Sequence, residues 1–221
     1  MTTGFFTVYH ERLAEQGDAR AQVGLGSLYQ MGGVVPRNLK TAVKWYRLAA
    51  KQGNADAQLG LGLMYRDGGG VPKNVKTGIK WLEFAANNGN ILAPSLLGLM
   101  YAHGQGVPKN LKIAVKWYRL ASKQGNYQGT MQLGGWYEEG EVFPKNYQTA
   151  LKFYKLAGEQ GFPLAQQFVD KVQQKIAAQS PKQPIQSFQK SPLEKAKEQC
   201  AEIGFTKGTE KFGDCVMKLL N

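Results

Sequence analysis

Cysteine and histidine are nearly absent from this chain of 221 residues: there are two of each, and Cys200 and Cys215 both fall in the tail. A disulfide framework is therefore excluded for everything before residue 200, as is a thiolate metal site. His10 and His103 belong to no HExxH motif, to no Cys/His metal spacing and to no recognisable nucleophile pair. No enzymatic activity and no cofactor are expected. Long hydrophobic runs are missing too, since nothing approaches the roughly 18 apolar residues of a membrane span. The opening MTTGFFTVYHERLAEQG lacks the basic stretch and apolar run of a secretory signal. As written, the chain is expected in the cytoplasm; a periplasmic or secreted location is the alternative if the true start lies upstream. Negative charge is also scarce. Against 28 Lys and Arg stand 16 Asp and Glu, a net charge of +12 carried almost wholly before Ser180. That balance favours acidic partners or anionic surfaces without choosing among them.

What is present is repetition. The stretch GVPKNLKIAVKWYRLASKQGN, Gly106 to Asn126, has close copies starting at Gly33, Gly70 and, more loosely, Glu141, with prolines at Pro36, Pro72, Pro108 and Pro144. A constant period of 36 residues signals a stack of small units, none of which can bury its apolar surface alone. The segment Val8 to Ala21 matches Lys44 to Ala57 at the same offset, so the chain begins in mid-repeat, as an N-terminal cap or as the remainder of a longer start.

Within the copy Ala57 to Gly89, Ala57, Leu61, Met64 and Tyr65 recur at helical spacing, and Gly68 follows where a left-handed residue ends a helix. Pro72 forces Val71 to extend, and the Asn74 side-chain oxygen is suited to cap a second helix from about Val75 to Asn88. On the second helix of the first copy, Ala42, Trp45, Tyr46 and Ala49 share one face within an arc of about 100°. These are the expected core residues. The position of Ala42 stays small in the other copies (Gly78, Ala114, Ala150), while Trp45, Trp81, Trp117 and Phe153 supply one bulky ring per unit. From Phe162 the first-helix pattern returns once, in Ala165, Phe168 and Val169, and then turns polar as a terminal cap should.

The repeated string resembles the Sel1-like repeat, a bacterial relative of the tetratricopeptide repeat. It is carried by Ala57, Leu61, Gly62, Met64, Tyr65, Gly68, Gly70, Val71, Pro72, Trp81, Ala85, Ala86 and Gly89, and equally by Ala93, Leu97, Gly98, Met100, Tyr101, Gly104, Gly106, Val107, Pro108, Trp117, Tyr118, Ala121 and Gly125. One departure is Asn where the family usually has Asp after the Pro-Lys pair, which keeps the cap and removes a charge. The resemblance covers about residues 8 to 178. It implies an all-α, right-handed α-solenoid of 36-residue helix-turn-helix repeats over residues 1–179, and a non-catalytic scaffold or adaptor that binds a partner protein or peptide on a concave wall of first helices.

On that wall, discrimination is expected from first-helix positions that vary between copies. They form three rows: Ser27, Leu63, Leu99 and Gly135; Gln30, Arg66, Ala102 and Glu138; and Met31, Asp67, His103 and Glu139. Leu63, Arg66, Leu99, His103 and Glu138 are the candidate partner-binding residues, the alternative being that these positions merely drift. A second candidate surface is a basic ridge on the outer helices, Lys44, Lys80, Lys116 and Lys152, with Arg37, Lys73, Lys109 and Lys145 in a parallel line. It would suit an anionic ligand, whether an acidic protein, an envelope polymer or nucleic acid, the alternative being a solvated outer wall, which is what charge runs on helices usually are. Nucleic acid is disfavoured, because the aromatic rings beside these lysines point into the core rather than forming stacking platforms.

From Gln179 the composition shifts to SPKQPIQSFQKSP, a Pro, Gln, Ser and Lys tether over 180–191 that cannot fold alone. Ser191, Pro192 and Glu194 then open a helix as a capping box. The stripe Leu193, Ala196, Cys200 and Ile203 and the stripe Phe212, Cys215, Val216 and Leu219 predict a small helical hairpin over 192–221, with Gly204 and Gly208 at its turn. Cys200 and Cys215 lie equally far from that turn. In an oxidising compartment a disulfide there would contribute about 3 kcal/mol; in a reducing one the pair would be buried thiols. A docking or oligomerisation element is one expected role of the hairpin, the alternative being a nearly independent helical hairpin with no partner.

Overall fold

The computed structural model describes residues 10–179 and 191–220. The start of the N-terminal half-repeat, with Val8 and Tyr9, and the tether up to residue 190 lie outside the described residues. Among those described there are helices and turns and no strand. The chain divides into two compact units, Met1–Ala177 and Ala178–Asn221.

The first unit is a run of antiparallel helix pairs. After α1 (residues 10–15) come α2 (Ala19–Met31) with α3 (Leu39–Lys51), α4 (Ala55–Asp67) with α5 (Val75–Asn87), α6 (Ala93–His103) with α7 (Leu111–Lys123), and α8 (Tyr127–Glu139) with α9 (Tyr147–Glu159). The lone helix α10 (Ala165–Gln179) closes the series. Local chemistry sets these boundaries. Each second helix begins at an asparagine, Asn38, Asn74, Asn110 or Asn146, whose side chain accepts a hydrogen bond from the backbone N–H three residues on. The N–H of the same asparagine closes the preceding loop onto the carbonyl of Tyr29, Tyr65, Tyr101 or Tyr137 at 2.7–2.8 Å. Gly68 ends α4 in the left-handed conformation, where a side chain would be strained.

Packing inside a pair depends on a close approach. A Cβ added at Gly26, Gly98 or Gly134 would meet the ring of Tyr46, Tyr118 or Tyr154 at 2.7 Å, and one at Gly62 would meet Leu82 at 2.9 Å. The sealed bulky residues are therefore Tyr46, Leu82, Tyr118 and Tyr154, each no more than 5% exposed. The neighbouring row, expected to be the buried knob, is only half-buried: Trp45, Trp81, Trp117 and Phe153 lie one position off that face. Their rings reach sideways instead. Trp81 packs on the cluster around Tyr46 and Leu61, Trp117 on that around Leu82 and Leu97, and Phe153 on that around Tyr118 and Leu133. Each of these clusters combines residues of the ring's own repeat with residues of the repeat before it, so the ring closes a core that spans two repeats.

A row of buried polar groups crosses the same interfaces. Gln22 and Gln58 donate to the carbonyls of Ala14 and Ala50, the last-turn acceptors of the preceding helices, and in turn accept from Gln52 and Asn88 at 2.9 Å. In the fourth repeat Thr130 donates to Gln160 Oε1 at 2.6 Å, and Gln160 donates to the Ser122 carbonyl. The third repeat breaks the pattern, because Pro94 stands where the others have Gln or Thr. Gln124 still donates to the Ala86 carbonyl, but its Oε1 is a buried acceptor left without a partner.

The second unit is a hairpin of α11 (Pro192–Glu202) and α12 (Glu210–Leu220). Ser191 and Glu194 form the reciprocal capping box at the start of α11. Ala196, Cys200, Phe212 and Val216 make a small core, and Cys200 is bonded to Cys215 through a disulfide spanning 15 residues. The expected stripes are only partly buried: Leu193, Ile203 and Leu219 are 43, 68 and 48% exposed. Two short helices have too little interior to cover them.

Candidate protein-interaction surfaces

Two pairs of successive first helices touch, α2 with α4 and α6 with α8, whereas α4 and α6 do not to the same extent, nor does any pair of successive second helices. The first helices are thus the more crowded side of the stack. On that side Leu99 is 38% exposed and Leu63, one repeat earlier in the same register, is half-buried. His103 is exposed, while Arg66 is half-buried and turned onto Asp67, with Nε to Oδ1 at 2.7 Å. This neighbour holds the Arg66 guanidinium above, and the Asp67 carboxyl below, its ordinary range, each through the hydrogen bond they share.

Glu138 does not belong with them. It is 8% exposed, accepting from Tyr154 Oη at 2.6 Å and from Lys175 Nζ of α10 at 2.6 Å, with Lys171 at 4.0 Å. Burial pushes its carboxyl up, but the hydrogen bonds from Lys175 and Tyr154 outweigh burial and leave it below the usual carboxylate range. The residue joins the last repeat to the cap rather than facing outward.

The same geometry accounts for the variation of its row. Tyr46 Oη donates to Gln30 Oε1 at 2.8 Å, as Tyr154 does to Glu138. Where the second helix carries Leu82 there is no hydroxyl to satisfy, and Arg66 turns to Asp67 instead. In the third repeat Ala102 offers Tyr118 no acceptor, and burial pushes the Tyr118 hydroxyl up to about 12. The signal was present in the sequence as an offset of 16 residues, Gln30 with Tyr46 and Glu138 with Tyr154, hidden behind the stronger period of 36.

Lys44, Lys80, Lys116 and Lys152 are all exposed at one register of α3, α5, α7 and α9, and none has an ion-pair partner among the described residues. The arginines beside them are engaged: Arg47 donates to Tyr65 Oη at 2.9 Å, and Arg119 lies over the Phe143 ring at 5.8 Å. Among the described residues no cluster of three or more His, Cys, Asp or Glu is arranged to hold a metal ion, and no helix is long and apolar enough to cross a membrane.

The Sel1 repeat family model matches residues 19–54, 55–90, 95–126 and 128–162, in register with the four helix pairs. The chain belongs to the Sel1 repeat family. A Sel1 repeat protein from Oxalobacter formigenes is 32% identical with a TM-score of 0.67 over 75% of this chain and 48% of its own. The protein c5321, described as a protective antigen present in uropathogenic Escherichia coli strains, is 37% identical with a TM-score of 0.66 over 72% of this chain and 34% of its own. The chain thus spans about half of the first relative and a third of the second. No curated protein matches it. Sel1 repeat proteins generally mediate protein–protein interactions, and the repeat is typically a non-catalytic scaffold.

Proposed function

We propose that this Sel1 repeat protein is a non-catalytic scaffold or adaptor whose first-helix face receives a partner protein or peptide. The observation that carries this reading is that Leu99 is exposed and Leu63 half-buried at the same register of successive repeats, with Arg66 and His103 on the same two helices. An apolar strip with a polar border suits a protein surface more than a small solute. The second reading, an anionic ligand on the outer ridge, rests on the four exposed lysines without ion-pair partners among the described residues.

A photo-crosslinking residue placed at position 99 or at position 44 of the full chain separates the two. The first-helix reading expects capture of one discrete protein from position 99, insensitive to salt between 50 and 500 mM (about 0.05–0.5 M, where screening shortens steeply), and none from position 44. Capture from position 44 alone, lost at high salt, overturns it in favour of the ridge.

A further inference from the structure

Charge in the repeats is sorted by helix. On the second helices α3, α5, α7 and α9 twelve Lys and Arg stand against two acidic residues, Glu83 and Glu159, whereas the first helices α2, α4, α6 and α8 hold two against four. All twelve cations are exposed, and none has an ion-pair partner among the described residues; Glu83 is half-buried. On α3, Lys40, Lys44, Arg47 and Lys51 lie within an arc of about 60°, and α7 repeats them one for one. An apolar row runs through the same face. Leu48, Phe84, Leu120 and Leu156 each follow Lys44, Lys80, Lys116 or Lys152 by four residues, about 40° around the helix. Leu48 and Phe84 are 45 and 53% exposed, although lysines surround them in sequence on the water-facing side.

From this arrangement we infer that the second-helix face of the repeats binds the surface of an anionic lipid bilayer, with its cations against headgroup phosphates and Leu48 and Phe84 entering the interface beneath them. Clustered Lys and Arg are drawn to an anionic leaflet, and apolar side chains set among them add a shallow anchor. Two features select this occupant. The cations extend along each helix and also from helix to helix, which matches an anion extended in two dimensions, whereas a bound peptide would cover a single strip. The apolar row separates a bilayer from nucleic acid, because a phosphate backbone gives Leu48 nothing to bury against. The tryptophans that could stack on bases are half-buried. Bilayer binding rests on the basic-ridge reading and leaves the first helices uncovered for a partner protein.

The test presents the full chain with vesicles of pure phosphatidylcholine, vesicles containing about one third phosphatidylglycerol, and a DNA duplex. Sedimentation with the anionic vesicles alone is expected, weakening as salt is raised. Lys44→Glu, Lys80→Glu, Lys116→Glu and Lys152→Glu together should weaken it at least about tenfold. Reversing four cations of the hairpin instead, Lys195, Lys197, Lys211 and Lys218, is the charge-matched control and should cost less than about twofold. Leu48→Ser with Phe84→Ser should weaken vesicle binding at least about threefold and leave any duplex binding unchanged. Every changed residue is exposed, so the variants should keep the circular dichroism of wild type. Equal binding to neutral vesicles, an equal loss from the hairpin control, or wild-type binding by the Leu48 and Phe84 variant overturns the inference. Tighter binding to the duplex than to anionic vesicles overturns it in favour of nucleic acid. A chain that stays in solution with anionic vesicles overturns the bilayer as well, and leaves the basic ridge to an acidic protein.

Discussion

The hydroxyl of Tyr154 donates to Glu138 Oε2 at 2.6 Å inside the last repeat, and the other oxygen of that carboxylate takes Lys175 from the capping helix. A single buried carboxylate thus satisfies the second helix of its own repeat and anchors α10. Glu138→Ala leaves the Tyr154 hydroxyl buried without its acceptor and is expected to destabilise the unit by about 1–3 kcal/mol. Glu138→Gln retains an acceptor and should cost less. Urea denaturation midpoints of the two variants check the order.

The same carboxylate makes stability depend on pH. Its folded value lies below the ordinary glutamate range, so its contribution is complete above about 4.3, the unfolded value, and is lost as pH falls through the lower folded value. Between pH 5 and pH 3 (about one unit either side of the unfolded value), wild type should lose stability more steeply than Glu138→Gln. Equal slopes would show that the Lys175 and Tyr154 contacts do not favour the ionised form.

Gln58 occupies the polar row between repeats, donating to the Ala50 carbonyl and accepting from Asn88. Gln58→Leu strands both, and the expected loss is about 1–3 kcal/mol. Pro94→Leu, at the equivalent position of the third repeat, has no side-chain hydrogen bond to lose and should cost less. Thermal melts of the two variants decide it; a Pro94→Leu loss equal to that of Gln58→Leu would refute the polar row.

Gly70 and Gly53 have similar backbone conformations, with φ of 75° and 85°, but different surroundings. An added Cβ at Gly53 meets nothing within 4 Å, whereas at Gly70 the Leu39 carbonyl of the preceding repeat blocks it. Gly53→Ala should cost the left-handed penalty of about 1–2 kcal/mol. Gly70→Ala should cost about 1–3 kcal/mol more through overpacking against backbone, read from the same denaturation curves.

Reducing the Cys200–Cys215 bond releases a loop of 15 residues and is expected to remove about 3 kcal/mol from the hairpin. Amide exchange in α11 and α12 should accelerate accordingly when a thiol reductant is added. Unchanged exchange rates would show that the small core of Ala196, Cys200, Phe212 and Val216 holds the hairpin without the crosslink.

The sequence by itself determined the period, the helix boundaries and their caps, because those rest on local chemistry: an Asn oxygen reaches an N–H three residues away, and Gly68 accepts a left-handed turn, whatever surrounds them. It also carried the capping box at Ser191 and the small residues of the helix crossings. Which of two adjacent residues is sealed, Trp45 or Tyr46, was settled only by tertiary structure, since both lie within one broad apolar arc and the neighbouring helix decides between them. The same holds for Glu138. Its charge and variability resemble those of a surface residue, and only the arrival of Lys175, 37 residues later, turns it inward. Burial is a property of what packs against a side chain, and that partner lies in another repeat.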